Sequence, residues 1–201
     1  MPTIGCDKYT FFPMLSDDAS TKTATYGAAV SLPGLVQISP TDEGGSQTFD
    51  ADNGAYIVTP YIQGIGHTLT VADVPPEVDA KWRGLTLKNG GVEVNNNVKM
   101  TYFGCAYRIM KADGNYRYFR AYKGVYSFAS NVGGTTKASD GAPEMQTCEV
   151  TYKQAMRESD GCYYWYVDSE TSESGAVTIN GVAQETFEES FFSDLSYNPT
   201  N

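Results

Sequence analysis

Hydrophobic and polar residues alternate along most of this chain with a period of two, as they do in a β-strand with one buried face. In the segment from about residue 61 to 72, Ile65, His67, Leu69 and Val71 fall on one face. Glycine and proline interrupt the alternation at short intervals, and the residues between them are rich in Val, Ile, Thr, Tyr and Phe. The pattern predicts a mainly β (α+β) protein built from hairpins.

The segment KADGNYRYFRAYKGVY, residues 111–126, combines five aromatic rings with four basic side chains. Its Asp113-Gly114 dipeptide favours a two-residue type I′ turn, so we expect a hairpin in which Ala112 pairs with Asn115. That register sets the following residues opposite each other: Ile109 and Tyr118, Tyr107 and Arg120, Cys105 and Tyr122, Arg108 and Phe119, Ala106 and Ala121, and Gly104 and Lys123.

A second dipeptide of the same kind, Asp160-Gly161, is interpreted in the same way. It predicts a hairpin that joins a strand near residues 145–157 to the segment CYYWYVD, with Met156 opposite Trp165. Both hairpins are long enough to form the wall of a sandwich or barrel.

Two segments change to the helical period of 3.6. After Asp73, the segment VPPEVDAKWRG repeats Val74, Val78 and Trp82 every four residues, and Gly84 suits a C-cap. This spacing predicts an amphipathic helix that lies on a sheet.

A second, shorter helix is predicted over about 187–195. Phe187, Phe191 and Leu195 form an apolar stripe along it. Thr186, with a glutamate three positions later, has the spacing of a capping box. The stripe predicts that this helix docks on the protein or on a neighbouring molecule.

Together these elements predict a single domain over residues 1–201, a β-sandwich or half-barrel with one flanking amphipathic helix and a short C-terminal helix. Two stretches, near 39–55 and 130–144, are polar and lack periodicity. They are predicted to be long loops, and loops of that length are usually functional.

Charge and cysteine usage exclude several function classes. The formal net charge is −10, from 24 acidic and 14 basic residues, which argues against capture of a phosphate backbone. Cys6, Cys105, Cys148 and Cys162 have no C-x-x-C spacing and accompany a single histidine, so no zinc site or other cofactor is expected. The chain has no leader pattern and no apolar stretch of membrane length, so we expect a soluble protein made in a reducing cytoplasm.

No assembled active site is predicted. Pairs such as Asp50 with Asp52, or Glu188 with Glu189, could supply the acid and base of a glycosidase, which keeps a β-rich hydrolase as the weakest alternative. With 24 acidic residues, however, such pairs arise by chance. His67 alternates with apolar residues and is predicted to be structural. The chain is therefore predicted not to be an enzyme.

The aromatic and basic hairpin has three interpretations. It could be a stacking platform for single-stranded nucleic acid, or an aromatic carbohydrate-binding surface. The third is a sheet face or subunit contact, where Tyr, Trp and Arg are common, and the acidic net charge favours it.

The order of the segments resembles the major tail protein, the tail tube subunit of long-tailed non-contractile bacteriophages. No single motif is diagnostic, and the resemblance rests on order and length over most of the chain. The segments that carry it are, in order, IGCDKYTFFPML, TYGAAVSLPGLVQISP, FDADNGAYIV, IGHTLTVADVPPEVDAKWRG and YFGCAYRIMKADGNYRYFRAYKGVYS.

The resemblance implies a structural protein of the virion tail that is present in the host cytoplasm during assembly. Six copies would form a ring, and stacked rings would form a tube around the tape measure protein, with tail terminator and tail tip proteins at its ends. DNA would pass through the lumen without specific binding, and an acidic lumen would suit that passage. The alternative from another class is a carbohydrate- or single-stranded-nucleic-acid-binding β module.

Within that family, the hairpin over about 100–128 is predicted to supply a wall of the sheet and a subunit contact. Its basic residues are expected to meet acids of a neighbouring copy, and its tyrosines are expected to pack the core or the contact. The predicted interface residues are Arg108, Arg117, Arg120, Lys123, Tyr118 and Tyr122. The loops near 39–55 and 130–144 are predicted to be arms between stacked rings that become ordered on assembly.

Overall fold

The computed structural model describes residues 1–51, 54–96, 99, 101–127, 146–171 and 175–196. Strands make up most of this part of the chain. They are β1 (Thr3–Asp18), β2 (Thr23–Tyr26), β3 (Val30–Ser31), β4 (Leu35–Ala51), β5 (Gly54–Val71), β6 (Thr86–Lys88), β7 (Gly91–Glu93), β8 (Phe103–Lys111), β9 (Tyr116–Ser127), β10 (Cys148–Gln154), β11 (Tyr164–Asp168), β12 (Glu170–Thr171), β13 (Val177–Ile179) and β14 (Val182–Ala183). The helices are α1 (Pro76–Arg83) and α2 (Gln184–Ser193).

One antiparallel sheet organises the molecule. Its strands run in the order β2-β1-β8-β9-β10-β5-β4, while β3 pairs with β1 and β11 pairs with β9. The sheet curves until β1 contacts β4 at the opposite end, but it does not close. The predicted mainly β fold, a sandwich or half-barrel with few helices, is confirmed.

The two faces of the main sheet carry separate cores. The inner core contains Tyr9, Phe11 and Tyr126 and is covered by Trp82 of α1, whose ring stacks on Tyr126 at 4.2 Å between centroids. The helix ends at Gly84, which has a φ of 64° and thus adopts the left-handed conformation that glycine tolerates best. The amphipathic helix predicted after Asp73 is confirmed.

The outer core lies under α2. Phe187, Phe191 and Leu195 are fully buried there. Of the two predicted possibilities, docking on the same chain or on a neighbouring molecule, the structure shows docking on the same chain. The predicted start was wrong: α2 begins at Gln184, and no side chain caps it. β14 ends at Ala183, the residue directly before the helix, so strand and helix follow each other without a loop.

Two glycines of the β8–β9 hairpin, here called the central hairpin, allow close packing on both faces. A Cβ on Gly104 would lie 2.0 Å from Leu195 Cδ2, and a Cβ on Gly124 would lie 2.4 Å from the Tyr152 ring. Both distances are far below contact, so these positions require glycine for reasons of space.

The register predicted for the β8–β9 hairpin was wrong by one residue. Lys111 N–H donates to Asn115 O at 2.9 Å, so the loop has three residues, 112–114. Gly114, its last residue, has a φ of 83°, as expected where a type I turn is followed by a left-handed residue. Arg108 therefore pairs with Tyr118, and the shift exchanges the two faces of β9 relative to β8.

The second predicted hairpin was also wrong. β10 and β11 do not pair with each other; both pair with β9, one after the other along its length. Trp165 consequently lies opposite Arg120 instead of Met156. The loop between them leaves the edge of β9 opposite Gly124 and returns to it opposite Ala121.

The segment predicted as a loop near 39–55 belongs to a long hairpin. Its described residues lie in β4 and β5, which pair with each other from Leu35↔Val71 to Ala51↔Gly54. Polarity misled the prediction because a strand exposed on both faces has no buried alternate positions to show a period of two. The stretch 130–144 lies outside the described residues.

Candidate functional site

The β4–β5 hairpin, here called the arm, extends beyond the rest of the sheet. β10 pairs with β5 only at residues 67–71, so the part formed by residues 44–51 and 54–62, the distal arm, pairs only with itself among the described residues. Nine residues of strand span about 30 Å. Among the described residues, the distal arm is therefore a two-stranded ribbon whose outer edges pair with no further strand and whose two faces carry exposed side chains.

Large apolar side chains are exposed along the distal arm. Phe49, Tyr56 and Val58 are 64%, 69% and 57% exposed, and Ile57 and Tyr61 are about half exposed. A two-stranded ribbon is marginally stable alone, and open strand edges with apolar side chains invite pairing with another chain. The distal arm therefore has the properties of a contact surface.

One face of the distal arm carries a row of apolar side chains from both strands. Phe49 lies opposite Ile57, and Gly45 lies opposite Tyr61. The Tyr61 hydroxyl would be only 2.8 Å from a Cβ on Gly45, so the tyrosine ring covers the glycine. This arrangement gives a row of aromatic and aliphatic groups for a partner to cover.

The charge of the arm points away from nucleic acid. Between Lys22 and Lys81 the sequence contains no Lys or Arg, whereas the arm segment includes Asp50 and other acids. A ribbon without cations does not capture phosphates. The contact surface is therefore suited to a protein partner.

An irregularity separates the distal arm from its root in the main sheet. The register shifts between Asp42 and Gly44, and Gly64 on the facing strand has a φ of 116°. Tyr163 packs against Gly64, where a Cβ would lie 3.2 Å from its ring. Such bulges bend a ribbon and set its direction.

The residues predicted at a subunit contact lie elsewhere, on β8 and β9, and four of them, Arg108, Arg117, Tyr118 and Lys123, contact acids of the same chain. Arg108 donates to Asp7 at 2.6 and 2.8 Å and to Glu188 of α2 at 2.6 Å. Tyr118, which is fully buried, donates to the same Glu188 at 2.5 Å. Burial opposes the charge on Glu188, but hydrogen bonds from Gln184, Lys8, Tyr118 and Arg108 outweigh burial and lower its pKa to about 2.

Arg117 is bound within the chain as well. It donates to both carboxylate oxygens of Asp168, at 2.6 and 2.9 Å, and it lies 5.4 Å from the centre of the Tyr166 ring. These bonds, with a second one from Lys111, lower the pKa of Asp168 to about 2 although burial opposes the shift. The bidentate pair ties β9 to the end of β11.

Arg120, Tyr122 and Lys123 are almost fully buried. Lys123 donates to Asp17 at 2.8 Å and to Glu158 at 2.9 Å. Tyr118, Arg120, Tyr122 and Lys123 thus present little surface to a neighbouring copy. The contact predicted between these six residues and a neighbouring copy remains a prediction. The acids that Arg108, Arg117, Tyr118 and Lys123 contact in this structure belong to the same chain.

His67 lies where the root of the arm meets the inner core. It is 1% exposed, its Nε2 is 2.9 Å from Tyr9 Oη, and its ring stacks on Tyr152 at 4.8 Å. Burial lowers its pKa to about 3, so the imidazole is neutral near pH 7. The position agrees with the structural role predicted for this residue.

Within the described residues, no three His, Cys, Asp or Glu side chains cluster in a way that would hold a metal ion. Neither helix of that part of the chain has the length and apolar composition that a membrane crossing needs.

The distal arm overlaps the segment near 39–55 that was predicted to be a loop and an arm between stacked rings, and that role remains a prediction. The signal that identifies it is the absence of Lys and Arg over residues 23–80 combined with the apolar run AYIV. A comparison with protein-family models found no match, and neither did a comparison with curated proteins.

Proposed function

We propose that this chain is the subunit of a phage tail tube, in which six copies form a ring and stacked rings enclose a lumen for DNA. The observation that carries the proposal is the distal arm, an exposed apolar ribbon about 30 Å long whose edges are open. A ribbon of this kind suits contact with the next copy better than it suits solvent.

The open main sheet supports the same proposal. It ends in β2 and β3 on one side and in β4 on the other, and a ring of identical copies can cover each edge with its neighbour. The heterologous contact repeats around the ring until it closes. The arm then reaches along the tube axis toward the next ring, where its apolar face is covered.

The net charge of −10 supports a passage for DNA. Acidic walls repel phosphates, so a polyanion would move through the lumen without binding. The tape measure protein would fill the lumen before DNA enters, and the tail terminator and tail tip proteins would bind the ends of the tube. The chain itself makes and breaks no bond in this role.

Negative-stain microscopy and sedimentation of the concentrated full-length protein test the proposal. The wild type is expected to form rings or tubes. The double variant Phe49→Asp, Ile57→Asp is expected to remain monomeric with an unchanged circular dichroism spectrum, because both side chains are exposed in the single chain.

The control is Val94→Asp, which places one aspartate at a residue that is 69% exposed outside the arm. It should assemble as the wild type does. Tubes formed equally well by the double variant would refute the role of the arm. A wild type that stays monomeric and binds glycans or single strands would favour the alternative β module.

A further inference from the structure

Lys123 of β9 lies between two acids that come from distant segments of the chain. Its Nζ donates to Asp17 Oδ2 at 2.8 Å and to Glu158 Oε1 at 2.9 Å. Asp17 belongs to the end of β1, and Glu158 lies in the loop between β10 and β11. We call these three residues the Lys123 site.

The amine and one of the two carboxyl groups of the Lys123 site are closed to solvent. The side chains of Lys123 and Asp17 are 7% and 6% exposed, and the centre of the Tyr102 ring lies 4.8 Å from Nζ. Glu158 is 63% exposed and connects the buried pair with solvent. Two groups held in contact in this way have an effective concentration far above any that solution offers.

The peptide backbone holds the carboxyl group of Asp17 in place. Glu158 N–H donates to Oδ2 at 2.8 Å, and Ser159 N–H donates to Oδ1 at 3.0 Å. Both oxygens are therefore fixed, and the carboxyl group cannot turn away from the amine. Backbone N–H groups in such positions also stabilise the negative charge that an oxygen gains when a nucleophile adds to the neighbouring carbon.

The resting form of the pair is ionic. Burial opposes both charges, but hydrogen bonds outweigh burial, so the pKa of Lys123 is raised and the pKa of Asp17 is lowered. An ammonium group is not a nucleophile, so a reaction requires that the proton first leaves Nζ. Transfer of this proton to Asp17 gives a neutral amine beside a neutral carboxylic acid, which avoids the cost of two buried charges. Because the ionic form dominates, a reaction at this site is slow.

We propose that Lys123 and Asp17 condense to an intramolecular amide bond, with Glu158 as the catalytic base and acid. Nζ of the neutral amine adds to Cγ of the neutral Asp17 acid, and the Glu158 carboxylate takes the proton that the nitrogen loses. Glu158 then returns this proton to the departing hydroxyl group, which leaves as water. One ammonium and one carboxylate become one amide and one water, so no oxidant or other reactant is needed.

The amide bond would tie the end of β1 to β9. The two residues are 106 positions apart, so the bond would close a long loop and restrict the unfolded chain, as a disulfide does. The reaction takes place within one chain and goes beyond the proposed assembly. A protein that never forms tubes can still form the bond, so the two proposals fail independently.

The test is the intact mass of the full-length protein, measured directly after purification and again after days at neutral pH. We expect a species that is lighter by one water molecule and that increases with time. An aspartate that precedes glycine, such as Asp113, can also lose water, so a protease digest must contain the branched peptide that joins Lys123 to Asp17. Protein that keeps its full mass, or a loss of water that maps elsewhere, would overturn the proposal.

Two variants at position 17 test the chemistry of the bond. The side-chain amide of Asp17→Asn can react with the same amine by releasing ammonia, so the cross-linked variant should have the same mass as the cross-linked wild type. Asp17→Ala has no carbonyl carbon to attack and should keep its full mass. Circular dichroism checks that both variants are folded.

Glu158→Gln tests the catalytic role at an exposed residue, where the fold is expected to persist. The rate of water loss should fall about a hundredfold or more, because general acid–base catalysis contributes a factor of that size. Lys111→Arg is the control, since Lys111 also contacts an aspartate, Asp168 at 2.5 Å, and its loss should leave the rate unchanged. An unchanged rate in Glu158→Gln would overturn the role given to Glu158.

Discussion

Single residues in this protein are constrained mainly by space and by desolvation. Gly104 shows the first constraint, since Leu195 occupies the volume that a larger side chain would need. His67 shows the second, since its neutral imidazole lies among Tyr9, Tyr107 and Tyr152 with Nδ1 lacking a hydrogen-bond partner. Each constraint predicts a measurable change in stability.

Gly104→Ala should lower the free energy of unfolding by about 1–3 kcal/mol, because the new methyl group displaces Leu195 and presses on the Ala121 carbonyl. Denaturant unfolding measures this change. Gly5→Ala is the control, since nothing lies within 4 Å of a Cβ there. Equal stability of the two variants would show that Leu195 can move to make room for a methyl group at position 104.

Stability should fall as the pH is lowered from 7 to 5. The pKa of His67 is about 3 in the folded state and about 6.5 in an unfolded chain, so the unfolded state binds the proton first. The stabilisation is complete above pH 6.5 and is lost as the pH falls toward 3. Between pH 7 and 5 the loss is about 2 kcal/mol.

Denaturant unfolding of wild type and His67→Gln at both pH values isolates this contribution. The variant should be less stable at pH 7, and its stability should depend less on pH over the same interval. Most carboxylates titrate below that interval. Parallel pH dependence in the two proteins would contradict a buried neutral imidazole.

At the scale of elements, ion pairs join α2 to strands of the main sheet. Glu188 receives hydrogen bonds from Lys8 of β1 and from Arg108 and Tyr118 of the central hairpin. Sequence reasoning found the apolar stripe of α2 but not this polar anchor, because the partners come from three distant segments. The anchor predicts how firmly the helix is held.

Glu188→Gln should lower the free energy of unfolding by about 1–2 kcal/mol, since it removes the charge that satisfies two cations. Hydrogen exchange should show faster opening of α2 than of the inner core. Glu189→Gln, the next residue and an exposed one, is the matched control. If both variants behave alike, Glu188 does not anchor the helix.

For the whole molecule, the distal arm and the acidic net charge make opposite contributions to association. Copies with a net charge of −10 repel each other, whereas the contact offered by Phe49 and Ile57 is apolar. Salt screens the repulsion and leaves the apolar contact in place. An apolar contact through the distal arm and a contact between opposite charges therefore differ in their salt dependence.

Assembly should become faster and more complete as sodium chloride is raised from about 0.02 to 0.2 M, because the Debye length falls to below about 10 Å. Light scattering of the purified protein measures the rate. A rate that falls with salt would instead support contacts between the basic residues of β9 and acids of a neighbour.

Much of the fold could be predicted from the sequence, whereas strand registers and strand partners could not. The helix with Val78 and Trp82, the stripe at Phe187 and the hairpin at Gly114 were located correctly. The register was missed because Asp-Gly is compatible with both two- and three-residue loops, and packing on two faces chose the longer one. For the same reason Arg120 lies opposite Ala106 and not opposite Tyr107, as the predicted register had it.

The sequence by itself determined the strand-rich composition, the two amphipathic helices and the uncharged apolar run of the arm, since these depend on residues a few positions apart. Only the tertiary structure decided which face of β9 each side chain joins and which acid each cation meets. Arg108 and Asp7 are 101 positions apart, and Arg108 and Glu188 are 80. Contacts over such separations arise from the curvature and register of the whole sheet, which local periodicity does not encode.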